Sequence, residues 1–136
     1  PYGGNPIELL GPAGGWIASS VELAKLMVLV DGFRNVPDMI SNSLINQMVD
    51  DTDFRGPLGW KTVKDNGDWI RTGSMAGTSA ILKRQSNGFS WVVVLNSSSW
   101  KGPRLPAYVN YMMGKIEKNI TKWPGNDLFK YVPKKI

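Results

Sequence analysis

The 136-residue chain contains neither cysteine nor histidine. Without cysteine it has no disulfide, no thiol nucleophile and no thiolate metal ligand. Without histidine it has no Ser-His-Asp triad, no imidazole general base and no histidine-ligated zinc. Any proton transfer within this sequence would fall to lysine, tyrosine, aspartate or glutamate. We therefore predict no metal site and no cofactor.

Long apolar runs are also missing. A bilayer-spanning helix needs about 20 predominantly apolar residues, whereas the longest apolar stretch, residues 17–30, is interrupted by serine, glutamate and lysine. The chain opens on Pro1 without a charged segment followed by an apolar one, so it does not begin with a signal peptide. We expect no transmembrane segment, and the start on proline suggests a processed product or a fragment.

The net charge is +5, and 42% of the residues are hydrophobic. Such a composition is typical of a globular protein. Much of the basic excess lies near the C-terminus, where we interpret it as a solvated helix face and chain end. Nucleic acid is not expected as a partner, because no basic patch interleaved with stacking aromatic residues is evident in the sequence. The basic residues concerned are Lys115, Lys118, Lys122, Lys130, Lys134 and Lys135.

Three helices are predicted. Ser19 and Glu22 form a capping box before an apolar run that ends near Gly32, and this run leaves so little polar face that the helix should be mostly buried. A second helix is expected over residues 41–50. A third is expected from about Leu105 to Asn119 and should pack across a sheet. Its apolar stripe comprises Val109, Met112, Met113, Ile116 and Ile120.

The middle of the chain has the pattern of β-hairpins. Residues 60–64 and 68–72 flank Asn66-Gly67, and residues 78–85 and 89–96 flank Asn87-Gly88. Asn-Gly favours a tight turn whose two central residues have positive φ. The last strand is apolar on both faces, which is typical of a central strand. The predicted fold is α+β, an antiparallel meander of about four strands packed with helices. We treat residues 1–136 as one unit, mainly helical over 1–57, with the sheet and a C-terminal helix over 58–136.

The segment from Trp69 to Ser79 is the most informative for function. Within it, Arg71-Thr72-Gly73-Ser74 resembles the Lys-Thr-Gly strand of serine β-lactamases and penicillin-binding proteins. The likeness is to the class C-like branch, where the first position varies and a further glycine, here Gly77, follows four residues after Gly73. Residues 11–19, 58–60 and 90–96 resemble neighbouring segments of that family and stand in the family's order.

The resemblance implies a C-terminal part of a serine hydrolase that transfers acyl groups from amides or esters. Arg71 would occupy the cationic position that binds a substrate carboxylate, but it cannot exchange a proton near neutral pH as lysine can. Thr72 would offer a hydroxyl to the substrate, and Gly73 would allow close backbone approach. The Ser74 backbone N–H would be one donor of the oxyanion hole. The family also suggests a secreted or periplasmic location.

The family's earlier motifs, Ser-x-x-Lys and Tyr-x-Asn, are not found upstream of Arg71. Ser98-Ser99-Trp100-Lys101 matches the first in letters, but it precedes Gly102-Pro103 and is interpreted as a loop. Tyr108-Val109-Asn110 matches the second, but it comes after Arg71 on an amphipathic helix. An upstream segment or a companion chain would therefore carry the nucleophile. Surface left uncovered in its absence would favour a companion chain or a homo-oligomer.

Several alternatives stay open. Arg71 can be a solvated strand residue, and Gly73 and Gly77 can serve only a turn or bulge. The aspartates at positions 50, 51 and 53 lack the spacing of an EF-hand and fit a solvated loop better. Asn96 and Asn119 begin glycosylation sequons in form. The whole chain can also be a non-catalytic binding or structural protein that retains part of the fold.

Overall fold

The computed structural model describes residues 6–50, 52, 55–75, 77–97 and 101–130. In this part of the chain, helices come first, a sheet follows and a long helix comes after it, which confirms the α+β class. The helices are α1 (Ile7–Leu10), α2 (Ser20–Val28), α3 (Asn42–Val49) and α4 (Leu105–Asn119). The strands are β1 (Thr62–Val63), β2 (Trp69–Met75), β3 (Thr78–Arg84) and β4 (Ser90–Leu95).

The four strands form one antiparallel sheet in the order β1-β2-β3-β4, so the predicted meander is confirmed. The prediction that the last strand is central was wrong, because β4 lies at the end of this order. Its two apolar faces have another cause. Val92 packs into the cluster formed with α2 and α3, while Trp91 and Val93 pack with Val109 of α4. Helices cover both faces of an outer strand.

The first core cluster lies between the sheet and helices α2 and α3. Its buried members are Met27 and Ile45 from the helices and Trp60 and Trp69 from the sheet region. The two indole rings lie 5.5 Å apart, centroid to centroid, in a tilted arrangement. Aromatic pairs prefer such geometry because the ring edge is positive and the ring face negative. This cluster attaches the N-terminal helices to the sheet.

The second core cluster lies on the other face of the sheet, where Val109 of α4 packs against Ile81 and Trp91. The expected position of α4, across the sheet, is confirmed. Its predicted stripe is only partly covered, because Met112 is 58% exposed and Ile116 is 45% exposed. At about 100° per residue these side chains lie about 60° and 20° around the helix from Val109, so the stripe has the predicted direction, and the sheet covers it at Val109 and Met113.

Helix α2 begins as the capping box predicts. The Ser19 backbone N–H donates to Glu22 Oε2 at 2.7 Å, and the Glu22 N–H donates to Ser19 Oγ at 3.2 Å. The expectation of a mostly buried helix was wrong, since Met27 is its buried residue and Leu26 is about half exposed. One side of α2 packs on the sheet through Met27, and Glu22 and Leu26 are exposed.

Both predicted Asn-Gly turns are present with the loop lengths that the predicted strand bounds leave, but positive φ is found at only one of the two turn positions. The loops comprise residues 65–67 and 86–88, because the pairs Lys64–Asp68 and Gln85–Phe89 close them by backbone hydrogen bonds. Only the glycines, Gly67 and Gly88, have positive φ. Three-residue hairpin loops commonly combine a type I turn with a left-handed glycine. The asparagine side chain instead accepts a hydrogen bond from the N–H two residues on, at 3.1 Å in the first loop and 3.0 Å in the second.

Candidate functional site

The four residues predicted to form a site, Arg71 to Ser74, are consecutive in strand β2. Successive side chains of a strand point to opposite faces of the sheet. Arg71 and Gly73 therefore lie on the face that α2 and α3 cover farther along. Thr72 and Ser74 lie on the face of α4. Arg71, Gly73 and Ser74 are exposed, and Thr72 is half-buried.

The backbone direction of β2 is fixed by its contact with the segment before β1. The N–H of Lys61 donates to the carbonyl of Ile70 at 2.9 Å. Alternate residues of a strand direct their N–H and C=O groups to the same side, so Thr72 and Ser74 direct theirs to that side as well. Strand β1 pairs only with Trp69 and Ile70. The Ser74 N–H thus points to a free edge of β2, beyond the end of β1 within the described residues.

A row of small side chains crosses the sheet beside this edge. Gly73 pairs with Ala80, which pairs with Val94, and residues paired in this way share a face. Val94 is 40% exposed and Gly73 is exposed. We call these three residues the open row. Arg71 lies between the open row and buried Trp69, at the boundary between covered and uncovered parts of this face.

Gly73 has no structural reason within the described chain to be glycine. Its φ is not positive, and a Cβ atom added to it would have no heavy atom within 4 Å. Gly77 differs, because its φ of 84° belongs to the left-handed region that favours glycine. A glycine inside a strand weakens the strand but permits another backbone or a ligand to approach closely. Packing within the described chain therefore does not require glycine at position 73, and the missing side chain leaves this part of the strand accessible.

Sequence reasoning missed a buried polar cluster at the opposite end of β3. The Arg84 guanidinium lies 3.9 Å from the ring centroid of Phe33 and 4.1 Å from that of Trp69. Its Nε donates to the carbonyl of Asp31 at 3.1 Å, and its Nη1 donates to the carbonyl of Gly67 at 2.9 Å. Burial lowers the pKa of Arg84, while Asp31 and Asp68 oppose that change by Coulomb attraction. No sequence motif marks this arginine, whose contacts are structural.

The pKa values of two acidic residues in this cluster, Asp31 and Asp68, are shifted in opposite directions. Burial raises the pKa of Asp31, although the Phe33 N–H donates to its carboxylate at 2.8 Å. Burial would also raise the pKa of Asp68, but hydrogen bonds from the Ser86 N–H and Lys83 outweigh it and lower that pKa. Lys83 Nζ lies 3.2 Å from Asp68 Oδ2. Asp68 is therefore held as a carboxylate, which suits a structural ion pair.

Of the two segments that match the family's earlier motifs in letters, only Tyr108-Val109-Asn110 lies fully within the described residues. Residues 98–100 lie outside the described residues, so the structure gives no geometry for the only Ser-x-x-Lys of the sequence. Tyr108 is exposed on α4, with the ammonium of Lys101 3.9 Å from its ring centroid. In the described part of the chain, nothing near Ser74 has the arrangement of an activated nucleophile.

Two cavities of the described chain lie away from Arg71, Thr72, Gly73 and Ser74. One of about 260 Å³ is enclosed by α2, β4 and residues 126–129. Ser90 and Trp91 contribute to its wall, and each has a buried polar atom, Oγ and Nε1, without a hydrogen-bond partner. Another lies along residues 32–42. Neither is lined by Arg71, Thr72, Gly73 or Ser74.

Among the described residues, no three acidic side chains lie close enough to one another to hold a metal ion. Positions 51 and 53 of the aspartate loop lie outside the described residues. No helix described here has the length and apolar character that crossing a bilayer requires.

The chain matches no protein-family model, no curated protein sequence and no solved structure. The likeness to the serine β-lactamases and penicillin-binding proteins thus rests on the short motifs and their order.

Proposed function

We propose that this chain is the C-terminal part of a serine hydrolase of the penicillin-binding-protein/β-lactamase type, which transfers acyl groups from amide or ester substrates. The observation that carries the proposal is Gly73, a strand glycine that nothing in the described chain requires, next to an N–H at a free edge. In the family that the motif resembles, this position lets the substrate approach the strand closely. The same role explains why a glycine is tolerated here.

Each neighbouring residue contributes a different interaction. Arg71 supplies a permanent positive charge for a substrate carboxylate. The Ser74 N–H is fixed by the strand before the substrate arrives, so it stabilises a developing oxyanion without reorganisation. Thr72 supplies a hydroxyl from the adjacent position. Arg71 and Thr72 can both contact the substrate although their side chains lie on opposite faces of the sheet, because the substrate would bind along the edge of β2.

The nucleophile would be supplied by an upstream segment or a companion chain. Such a segment would cover the open row, Gly73, Ala80 and Val94, and would bring a serine and its lysine base to the free edge. Half of the oxyanion hole would come with it. In this arrangement the present chain is inactive on its own.

The test uses the full-length protein and two covalent probes, a carboxylate-bearing fluorescent penicillin and a neutral fluorophosphonate. Both should label a serine upstream of this chain. Arg71→Ala should slow labelling by the penicillin about tenfold to a hundredfold, because it removes a charge-assisted hydrogen bond, and should affect the fluorophosphonate much less. Gly73→Val should slow both, because the added side chain occupies the edge.

Lys64→Ala is the matched control, since Lys64 is an exposed cation outside the candidate site. It should leave both labelling rates unchanged. A full-length protein that neither probe labels would contradict the proposal. Label on Ser98 would show instead that the Ser-x-x-Lys of this chain is the nucleophile motif.

A non-catalytic binding or structural protein is the second candidate. The observation that favours it is the extent of exposed apolar surface, which includes Trp16 at 86% and Ile17 at 100% exposure. Exposed apolar patches of this kind are typical of interaction sites. In this case neither probe reacts with the full-length protein, and no Ser-x-x-Lys precedes Arg71 in the complete polypeptide.

A further inference from the structure

The outer face of α4 combines aromatic, apolar and basic side chains. Tyr108, Tyr111, Met112 and Lys115 are spaced at i, i+3, i+4 and i+7, so they form one stripe along the helix. The stripe points away from the buried contact at Val109, and all four residues are exposed. The sequence interpretation of this region as a solvated face left the tyrosines out.

The lysines and tyrosines of this face are in contact. Lys101 Nζ lies 3.9 Å from the ring centroid of Tyr108, and Lys115 Nζ lies 4.5 Å from that of Tyr111. An ammonium over an aromatic face is attracted by the negative charge of that face. These contacts hold the basic groups close to the rings, so charge and apolar area occupy the same surface.

The charge of the chain is concentrated on this helix and its flanks. Residues 101–122 contain five basic residues and one acidic residue, a net charge of +4 out of the chain's +5. The acidic residue, Glu117, lies toward the sheet, where its Oε1 accepts a hydrogen bond from Gln85 at 2.7 Å. The surface around the stripe is therefore uniformly positive. Its basic residues are Lys101, Arg104, Lys115, Lys118 and Lys122.

We propose that the outer face of α4 binds an anionic membrane surface, with the helix lying in the plane of the interface. Tyrosine is favoured at the headgroup level, because its ring is apolar and its hydroxyl polar. Lysines near the surface are attracted by anionic lipids. Met112, within the stripe, would add apolar area at the acyl boundary. This inference is independent of the proposed hydrolase site, which lies at the free edge of β2.

A membrane fits this surface better than a nucleic acid does. Bases bind to proteins by stacking on aromatic faces, and here Tyr108 and Tyr111 each already have an ammonium over one face. The exposed side chains of Met112 and Ile116 have no role in contacts to a phosphate backbone. The face is also a single convex helix and not a groove that follows a strand. Charge and apolar area together are what an interfacial helix requires.

The experiment measures binding of the full-length protein to two kinds of vesicle by flotation. One kind is phosphatidylcholine alone, and the other contains phosphatidylcholine and phosphatidylglycerol in a ratio of about 7:3. The protein should float with the anionic vesicles and not with the neutral ones, and salt should weaken its binding. Lys115→Gln with Lys118→Gln should reduce the partition coefficient about tenfold to thirtyfold, from the attraction expected of two basic residues near an anionic surface.

Lys61→Gln with Lys64→Gln is the matched control, because it removes the same charge from exposed positions near β1. It should change binding no more than about twofold, since long-range charge is screened. Tyr111→Ser with Met112→Ser should reduce the binding that persists at high salt. Equal losses in the Lys115/Lys118 and Lys61/Lys64 variants would overturn the proposal, as would equal binding to both kinds of vesicle. Preferential binding to a single-stranded oligonucleotide would replace it with a nucleic-acid surface.

Discussion

Arg84 shows how a buried cation is held in this protein. Its guanidinium is between the rings of Phe33 and Trp69, and two of its nitrogens donate to backbone carbonyls. Arginine suits such a position because it is planar, weakly hydrated and able to stack on aromatic faces. The cluster links the turn after α2 to the first hairpin. No local pattern predicts it, since its partners are far from Arg84 in sequence.

Asp68 gives a pH-dependent prediction. Its pKa is lowered in the folded protein, because the hydrogen bond from Ser86 and the ion pair with Lys83 outweigh burial. The stability it contributes is therefore present above the pKa of the unfolded chain and is lost as pH falls through the lower, folded value. Asp68→Asn should reduce the free energy of unfolding by about 1 kcal/mol at pH 7. Urea unfolding at neutral and at acidic pH measures the difference.

The difference between Asp68→Asn and the parent chain should shrink as the solution is acidified, because Asp68 itself becomes protonated. Asp65→Asn, in the same hairpin loop but exposed, serves as the control and should have little effect at either pH. If the destabilisation by Asp68→Asn is as large in acid as at neutral pH, the ion pair with Lys83 is not its cause.

At the scale of elements, helix starts were predicted well because their signals are local. The side chains of Ser19 and Glu22 accept hydrogen bonds from each other's backbone N–H groups within one turn. Ser41 caps α3 by accepting a hydrogen bond from the N–H of Leu44 at 3.3 Å. A capping pattern depends on residues three apart, so the sequence contains all of it. The predicted boundaries of α3 and α4 also agree with the structure to within one residue, although α4 begins without a side-chain cap.

Ser19→Ala should destabilise the chain, because it leaves the Glu22 N–H without its acceptor and releases the Glu22 side chain. Loss of an N-cap costs about 1 kcal/mol, which corresponds to a fall in melting temperature of about 3 to 5 °C for a domain of this size. Thermal unfolding followed by circular dichroism measures it. Ser20→Ala, one residue farther on and also exposed, should change the melting temperature by less than about 1 °C. Equal shifts in the two variants would argue against the cap.

Strand order and turn geometry were predicted less well, because they depend on distant parts of the chain. The apolar faces of β4 indicated a central strand, because strands that are covered on both faces are usually central. Here α2 and α4 cover both faces of an outer strand. The Asn-Gly pairs located both hairpins, but positive φ was expected at both turn positions and is found only at Gly67 and Gly88. Strand β2 also extends to Met75, three residues beyond the predicted end at Thr72.

For the whole molecule, the main feature is apolar surface that the described chain does not cover. Trp16 and Ile17 are the most exposed of these side chains, and the open row adds a part of the sheet face. The sequence predicted that such surface would exist, because motifs expected upstream of Arg71 were missing. The sequence could not predict where this apolar surface lies, since its position depends on which faces of the sheet α2, α3 and α4 cover.

The isolated chain should therefore self-associate as its concentration rises, through the surface that includes Trp16 and Ile17. Multi-angle light scattering over a concentration series measures the mean mass. Trp16→Ser with Ile17→Ser should shift self-association to higher concentration. Met39→Ser, which changes an exposed side chain elsewhere, is the control and should leave it unchanged. A single species of monomer mass at high concentration would count against this prediction.

The candidate site could be predicted from the sequence only as a strand. The order of short motifs pointed to Arg71, Thr72, Gly73 and Ser74, and the structure places these residues consecutively in β2, with the backbone N–H groups of Thr72 and Ser74 directed to the edge beyond β1. The direction of the Ser74 N–H follows from pairing with residues that are remote in sequence, so no motif contains it. The outer face of α4 was missed because the contacts of Lys101 with Tyr108 and of Lys115 with Tyr111 exist only in the folded chain.

The contrast between Gly73 and Gly77 bears on the history of the protein. Gly77 is fixed by its own backbone angle, so selection for a folded chain is enough to keep it. Gly73 is under no such requirement, and a β-branched residue there would strengthen the strand. If the proposed hydrolase site is correct, a relative without catalysis would be free to change Gly73 while it kept Gly77. Comparing these two positions, four residues apart, among relatives would therefore distinguish a requirement of folding from a requirement of substrate binding.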